Sequence, residues 1–531
     1  MAASDNSRQR LKAQSKKLPQ KNRESKTGKG KSKNYVYLKF ASIAILSFVV
    51  IAGIILISSK DSFIGKKPQP SKEEQRKPKD TPKTTPKTKT KDAPKPKADD
   101  LKKLLNKHDK SISDVLRKAT KMLDGKRIDD AVREFSVLST KYPKSPYARY
   151  GKAKAIDEEA EKKRSNELLL EAIKLFNTVP DIEDCPSTLK KLALLRSAER
   201  LSFLGKPLGA VRVLEKLVAF LPSDPDVNRA LGVQYLLAGE TAKALAPFEK
   251  VLEVLPTDGH SKSHVGFILK SLDKFNESIP YLTEGINSGD PGADNGRFYF
   301  HLGDAYIRLY KPDEARRVYE QGARKGIFLS ALQRSLYNAD TPLTARPWWT
   351  HKETGYSKHL AALEANWKTI RDEAVGLLNK KEHGGFEQEA EKLQDTGDWK
   401  QLTLFERGSQ VWAGCKRAPK TCAIVSKMSE ATGCSRGQIK FSVMYPGTHV
   451  WPHTGPTNCR LRAHLGLVIP KNVFIRAGDE TRTWQAGKVI VFDDSFEHEV
   501  WHNGTSVRLI LIIDFWHPEL TAQQKRTLSP I

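Results

Sequence analysis

Cysteine is scarce in this chain, five in 531 residues, too few to staple a disulfide scaffold. No C-x-x-C pair is present to suggest zinc. Acidic residues are short as well, 62 against 90 Lys+Arg, for a formal net charge of +28. That excess is uneven: residues 1–39 contribute +10 and residues 60–100 contribute +6. Because the basic surplus sits mainly in tails, it gives no footprint for a nucleic-acid surface, and no nucleic-acid partner is expected. A hydrophobic content of 38% with nine Trp excludes a wholly disordered chain, and the length suggests two to four domains.

One long uncharged run does occur, FASIAILSFVVIAGIILISS, from Phe40 to Ser59. At about 1.5 Å per residue it matches a bilayer hydrocarbon core of about 30 Å. The polar residues before it and the lack of a clear small-residue cleavage pattern after it favour an uncleaved anchor over a signal peptide. Residues 20–39 and 60–79 carry seven Lys/Arg each, so the positive-inside rule returns a tie. Two acceptor triplets, at Asn276 and Asn503, are compatible with glycosylation of a lumenal C-terminal part. Cys415 and Cys422, seven apart, could close a small disulfide in an oxidising compartment. The Lys/Pro/Thr-rich segment 60–100 reads as an extended stalk, because it has almost nothing to bury.

Between about 101 and 340 the sequence repeats. Leu231, Gly232, Tyr235, Ala244, Phe248 and Pro256 stand at tetratricopeptide spacing. In-phase copies occur at Ala198, Leu201, Ala210, Leu214 and Pro222, at Gly266, Leu269, Ser278 and Leu282, and at Leu302, Gly303, Tyr306, Ala315 and Tyr319. A degenerate unit is expected around Ala131, Phe135 and Pro143. Small residues let paired helices approach while the large ones fill the gap, which predicts an α-solenoid.

From about 341 the period changes. Helices are expected at 359–379 and 387–396, followed by strands at Gln438–Tyr445, Arg460–Pro470, Asn472–Ala477, Lys488–Phe492 and Ser506–Trp516. Short strands between turn signals suggest an antiparallel barrel or jelly roll. In CRLRAHLGLVIP, Arg460, Arg462 and His464 alternate and so share one face, opposite Leu461, Ala463 and Leu465. Guanidinium groups facing into a barrel would require an anion to offset desolvation, and a dicarboxylate suits their forked donors. His453 is placed on the loop after the first strand, and His498 near the end of the 488–492 strand. A histidine pair at two strand ends resembles non-haem iron sites, but Gly455 stands where a ligating carboxylate is usual. Spacing alone leaves metal ligation, zinc included, and a purely structural role both open.

HVWPHTGPTNCRLRAHLGLVIP, GDETRTWQAGKV, FDDSFEHEVW and DFWHPELT, with CKRAPKTC and RGQIKFSVMYPGTHVW, resemble the catalytic domain of the aspartyl/asparaginyl β-hydroxylase family across 341–531. The order of tail (1–39), anchor (40–59), stalk (60–100), repeats (101–340) and oxygenase domain (341–531) is also similar to that family. The resemblance implies a multidomain type II protein of the endoplasmic reticulum membrane. Its solenoid of tetratricopeptide repeats would be joined to an α+β domain with a double-stranded β-helix (jelly-roll) core. It implies Fe(II) held by His453 and His498 alone, with Asp494 nearby in a water-mediated contact at most. Ser442 and Arg508 would hold the distal carboxylate of 2-oxoglutarate, with Arg462 and His464 at its metal-proximal end. Arg460 and Arg462 would meet the substrate carboxylate, and Cys415 and Cys422 would pair. The implied reaction couples O₂ and 2-oxoglutarate decarboxylation, giving succinate and CO₂, to β-hydroxylation of Asp or Asn in EGF-like domains. The competing expectation is an inactive membrane-anchored scaffold that recruits partners through its repeats and stalk.

Overall fold

Helical hairpins fill residues 107–324 of the structure, a computed structural model that describes residues 101–380 and 384–531. The expected tail, anchor and stalk lie outside the described residues, and among those described no helix is long and apolar enough to cross a membrane. Small-against-large pairing is what packs the hairpins. A Cβ on Gly232 would lie 2.6 Å from the Phe248 ring, one on Gly266 2.6 Å from Leu282, and one on Gly303 2.1 Å from Tyr319. Glycine is therefore required sterically at these repeat positions. Gly151 meets Phe135 in the same way, which confirms the degenerate first unit. Asp224, Asp258, Ser145, Ser165 and Asn295 cap their helices through side-chain oxygens, satisfying first-turn N–H groups. The last hairpin ends at Arg324, and residues 325–347 cross to the second domain without a helix.

The second domain contains thirteen strands among the described residues. In chain order they are β1 (Trp348–Trp349), β2 (Glu387–Gln388), β3 (Gln394–Thr396), β4 (Trp399–Glu406), β5 (Ser409–Gln410), β6 (Gln438–Met444), β7 (His449–His453), β8 (Arg460–Val468), β9 (Val473–Ala477), β10 (Glu480–Arg482), β11 (Val489–Phe492), β12 (His498–His502) and β13 (Arg508–Trp516). One sheet runs β1-β11-β8-β13-β6-β4-β2, with β5 paired to β4, and the other runs β10-β9-β12-β7-β3. From β6 onward the chain alternates between the two sheets, apart from the β9–β10 hairpin within the smaller one, the winding of a jelly roll. The helix expected at 387–396 is instead β2 and β3: Glu387 pairs with Gln401, and Gln394 with Val450. Its helix-favouring composition yields to two sheet edges that need partners.

The larger sheet is buried on both faces. Outward residues Leu461, Ala463, Leu465, Leu509, Leu511 and Ile513 pack under the helices Ser357–Ala365 and Trp367–Leu378, together with Leu360, Leu363, Ile370 and Ala374. Ile510, Ile512, Trp399 and Phe492 meet Val473, Ile475 and Val500 of the smaller sheet in a second core. Cys415 and Cys422 form a disulfide on the helical side of this domain. Trp451 of β7 is buried among solenoid residues, beneath Tyr310 (ring centroids 5.0 Å apart) and the Arg308 guanidinium (5.5 Å). Arg334 of the crossing segment stacks on Tyr319 of the solenoid and pairs with Glu497 (2.9 Å), a second tie to the sheets.

Candidate active site

Strand pairing brings His453 and His498 together, because each is the other's cross-strand partner between β7 and β12. His453 ends a strand where a loop was expected, and His498 opens a strand of its own beyond 488–492; the short β7 and β12 carry His, Trp, Pro and Glu where an apolar alternation would have revealed them. Their ring centroids are 4.1 Å apart. His453 Nδ1 sits 2.7 Å from the Trp451 carbonyl and His498 Nδ1 sits 2.9 Å from the Phe496 carbonyl. With Nδ1–H donating to a carbonyl in each ring, both Nε2 atoms are left as lone-pair donors. Burial, and for His498 the neighbouring His453, holds both imidazoles below their ordinary pKa, so they stay neutral and fit to bind a cation. The solenoid contributes here, since the Trp451 carbonyl that orients His453 belongs to the residue it clamps.

Gly455 is explained by Asp494. A Cβ at 455 would fall 2.4 Å from Asp494 Oδ2, so the place of the usual ligating side chain is filled by that carboxylate. Asp494 accepts from Arg460 Nη2 at 2.6 Å and lies 3.2 Å from Arg462 Nη1. Burial would raise its pKa, but the two guanidinium groups outweigh that and hold it ionised. Asp514 accepts from Arg462 Nε at 2.7 Å and stands 3.4 Å from Arg460 Nη1. Arg460 and Arg462 are thus already paired with buried carboxylates, and what they offer a ligand is their remaining N–H directions. No three His, Cys, Asp or Glu side chains among the described residues cluster to hold a metal, so an ion on the histidine pair would keep other positions for small ligands.

Deeper between the sheets lies a cluster of buried polar side chains with unmet hydrogen bonds. Arg508 donates through Nη2 to Ser442 Oγ (3.1 Å), while its Nε, though buried, has no partner. Burial without a neighbouring anion pushes its pKa down to about 9. Ser442 Oγ also accepts from Trp399 Nε1 at 2.9 Å, which frees its own proton to be donated. His464 Nδ1 accepts from Trp484 Nε1 at 3.2 Å, so its Nε2 carries the hydrogen, and that atom too is buried and unpartnered. Donors from Arg508, Ser442 and His464 therefore converge with no acceptor, an arrangement that fits an acidic ligand. All of the expected site residues on β6, β8 and β13 face inward: Ser442 pairs with Ile510, His464 with Ile512, and Arg462 with Asp514.

A cavity of about 360 Å³ opens onto this centre. Its floor is His453, His498, Arg462 and Asp494; one wall is the solenoid helix Gly296–Arg308, and Glu391 and Gln438 line the opposite side. Glu391 is exposed at the rim, and Lys440, Arg462 and His453 keep it ionised against the cost of its surroundings. Sequence reading missed Glu391, Trp399 and Trp484, whereas the polar face of VRLILIIDF already set Asp514 beside Arg508. Asn276 and Asn503 are both exposed. A larger hollow of about 1310 Å³ on the solenoid is lined by Arg164, Phe203, Arg229 and His260 and lies away from this chemistry.

Residues 364–518 match the family described as aspartyl/asparaginyl beta-hydroxylase. The chain is 55% identical over 430 residues to the aspartyl/asparaginyl beta-hydroxylase of Mus musculus, covering 81% of this chain and 58% of that protein. Against the Homo sapiens protein of the same name the identity is 54%, over 81% and 56%. Aspartate beta-hydroxylase domain-containing protein 2 of Xenopus tropicalis is 29% identical over 45% of this chain and 65% of its own length. The chain thus spans less than three fifths of the two hydroxylases it matches. Among solved structures, Pseudomonas aeruginosa pilF superposes with a TM-score of 0.31 at 16% identity, over 41% of this chain and 93% of that one. The match to the two hydroxylases, at 430 residues, is too long to be confined to the sheet domain and takes in helical repeats before it; residues 364–518 form a domain of the aspartyl/asparaginyl β-hydroxylase family.

Proposed function

We propose that this chain hydroxylates the β-carbon of Asp or Asn side chains in EGF-like domains of secretory-pathway proteins, using Fe(II), O₂ and 2-oxoglutarate. The observation that carries the reading is the neutral histidine pair beside a buried cluster of donors that lacks an anion. Bound Fe(II) with 2-oxoglutarate would supply the oxidising chemistry, releasing succinate and CO₂. The protein's own part is placement. His453 and His498 would hold the metal through Nε2, their rings fixed by the carbonyls of Trp451 and Phe496. Arg508 and Ser442 would bind the far carboxylate of the diacid, and His464 Nε2–H with Arg462 its nearer end. Asp494 and Asp514 keep Arg460 and Arg462 aimed at the cavity, where they orient the target side chain. The walls of Trp399, Trp484, Phe492 and Ile510 keep water from the diacid pocket.

The Cys415–Cys422 disulfide supports an oxidising compartment. With the 40–59 run as anchor, the reading places the enzyme in the endoplasmic reticulum membrane as a single-pass type II protein with a lumenal catalytic domain. The test is mass spectrometry of an EGF-like peptide after incubation with the protein, Fe(II) and 2-oxoglutarate. One added oxygen on Asp or Asn is expected, and its loss in His498→Ala. Metal and diacid binding without any oxygen gain on such peptides would leave the scaffold alternative standing.

A further inference from the structure

The solenoid wall of the cavity carries a cation with no ion-pair partner among the described residues. Arg297, on the second residue of the helix Gly296–Arg308, lines the same cavity as His453 and His498. Its backbone N–H bonds to the Asn295 side chain, but among the described residues no carboxylate pairs with its guanidinium. Neighbouring cations are treated differently: Arg308 is paired with Asp304, Lys325 with Asp294, and Arg334 with Glu497. Phe300 and His301 from the next turn line the cavity beside Arg297. The His301 Nδ1 is buried without a partner, so the polar deficit on this wall extends beyond one side chain. The sheet domain lines the same cavity with both signs of charge, Glu391 and Glu406 together with Arg407, Arg436, Arg460 and Arg462.

We infer that Arg297 is a specificity residue that receives the carboxylate of a second acidic side chain in the substrate polypeptide, close in sequence to the residue presented to the histidine pair. This rests on the hydroxylase reading for the identity of the presented residue, though not for the binding itself. The cavity volume corresponds to a width of about 7 Å, and an extended chain advances about 3.3 Å per residue, which puts the acidic residue about one to three positions from the target. The forked guanidinium suits a carboxylate in two-point contact, and a basic residue at that position would be repelled.

The test uses the full chain and synthetic peptides with one Asp target and Glu, Ala or Lys at each position up to three on either side. Binding is read by fluorescence anisotropy with Mn(II) and 2-oxoglutarate under anaerobic conditions, and oxygen gain separately by mass spectrometry. The expected result is a preference of about tenfold for Glu over Lys at one position, reversed in Arg297→Glu and retained in Arg297→Lys. The same Glu:Lys ratio in wild type and Arg297→Glu at every position would overturn the inference. A preference that follows the charge at 297 without oxygen gain would uphold it while counting against the hydroxylase reading.

Discussion

Arg508 offers a prediction that runs against ordinary intuition about removing an active-site residue. Its guanidinium is buried, has one hydrogen bond from Nη2 to Ser442, an unpartnered Nε and no anion beside it. The fall of its pKa from the ordinary value to about 9 corresponds to about 5 kcal/mol against the charged form in the ligand-free protein. Arg508→Met removes that cost while losing the Ser442 bond and the contact with the Trp484 ring at 5.0 Å, each worth about 1 kcal/mol. The net expectation is a ligand-free domain more stable by about 3 kcal/mol, or about 6–12 °C in Tm for a domain of this size. With Mn(II) and 2-oxoglutarate at about a hundred times the dissociation constant, wild type should gain about 2.7 kcal/mol and the variant almost nothing. The sign extends to pH. The folded state releases this proton first, so the cost is fully present below pH 9 and fades above it, and wild type should approach the variant in alkaline buffer. Thermal unfolding with and without the diacid measures all of this. A variant that is less stable than wild type, or that gains as much from the diacid, would refute the reasoning.

Asp493 is buried, and burial lifts its carboxyl to about 8 in spite of hydrogen bonds from Ser495. The folded state therefore holds a proton that the unfolded chain has lost above about pH 4, so stability should fall as pH rises from about 4 to 8. Asp493→Asn should flatten that slope in urea titrations; an unchanged slope would exclude Asp493 as its source. Gly455→Ala should push Asp494 away from Arg460 and Arg462, costing about 1–3 kcal/mol and weakening metal binding by calorimetry, whereas wild-type metal affinity would show that the Asp494 contact is dispensable. Replacing Cys415 and Cys422 together by Ser frees a loop closed over seven residues, an expected loss of about 2 kcal/mol by chemical denaturation. Diacid affinity should be unchanged, because the helices bearing that disulfide pack on the outer side of the larger sheet, away from the pocket.

Much of this was legible in the chain itself. Repeat spacing located the solenoid because helix contact distance translates directly into a Gly-for-bulk exchange, as at Gly232 against Phe248 and Gly303 against Tyr319. Alternation in CRLRAHLGLVIP put Arg460, Arg462 and His464 on one inward face, since the pleat has a strict period of two. The motifs around His453 and His498 carried the family likeness. Local pattern failed where pairing overrode propensity: 387–396 reads as helix and forms strands, and β7 and β12 lack apolar alternation. Composition could not show that Asp494 fills the space above Gly455, nor that Arg508 and His464 keep unmet hydrogen bonds. Those facts depend on residues tens of positions apart meeting between two sheets. Likewise, only the packing of Trp451 into the solenoid and the cavity that Arg297 shares with the two histidines join the repeats to the candidate site. Periodicity records which face a residue takes; what stands opposite that face is set by how the layers close on one another.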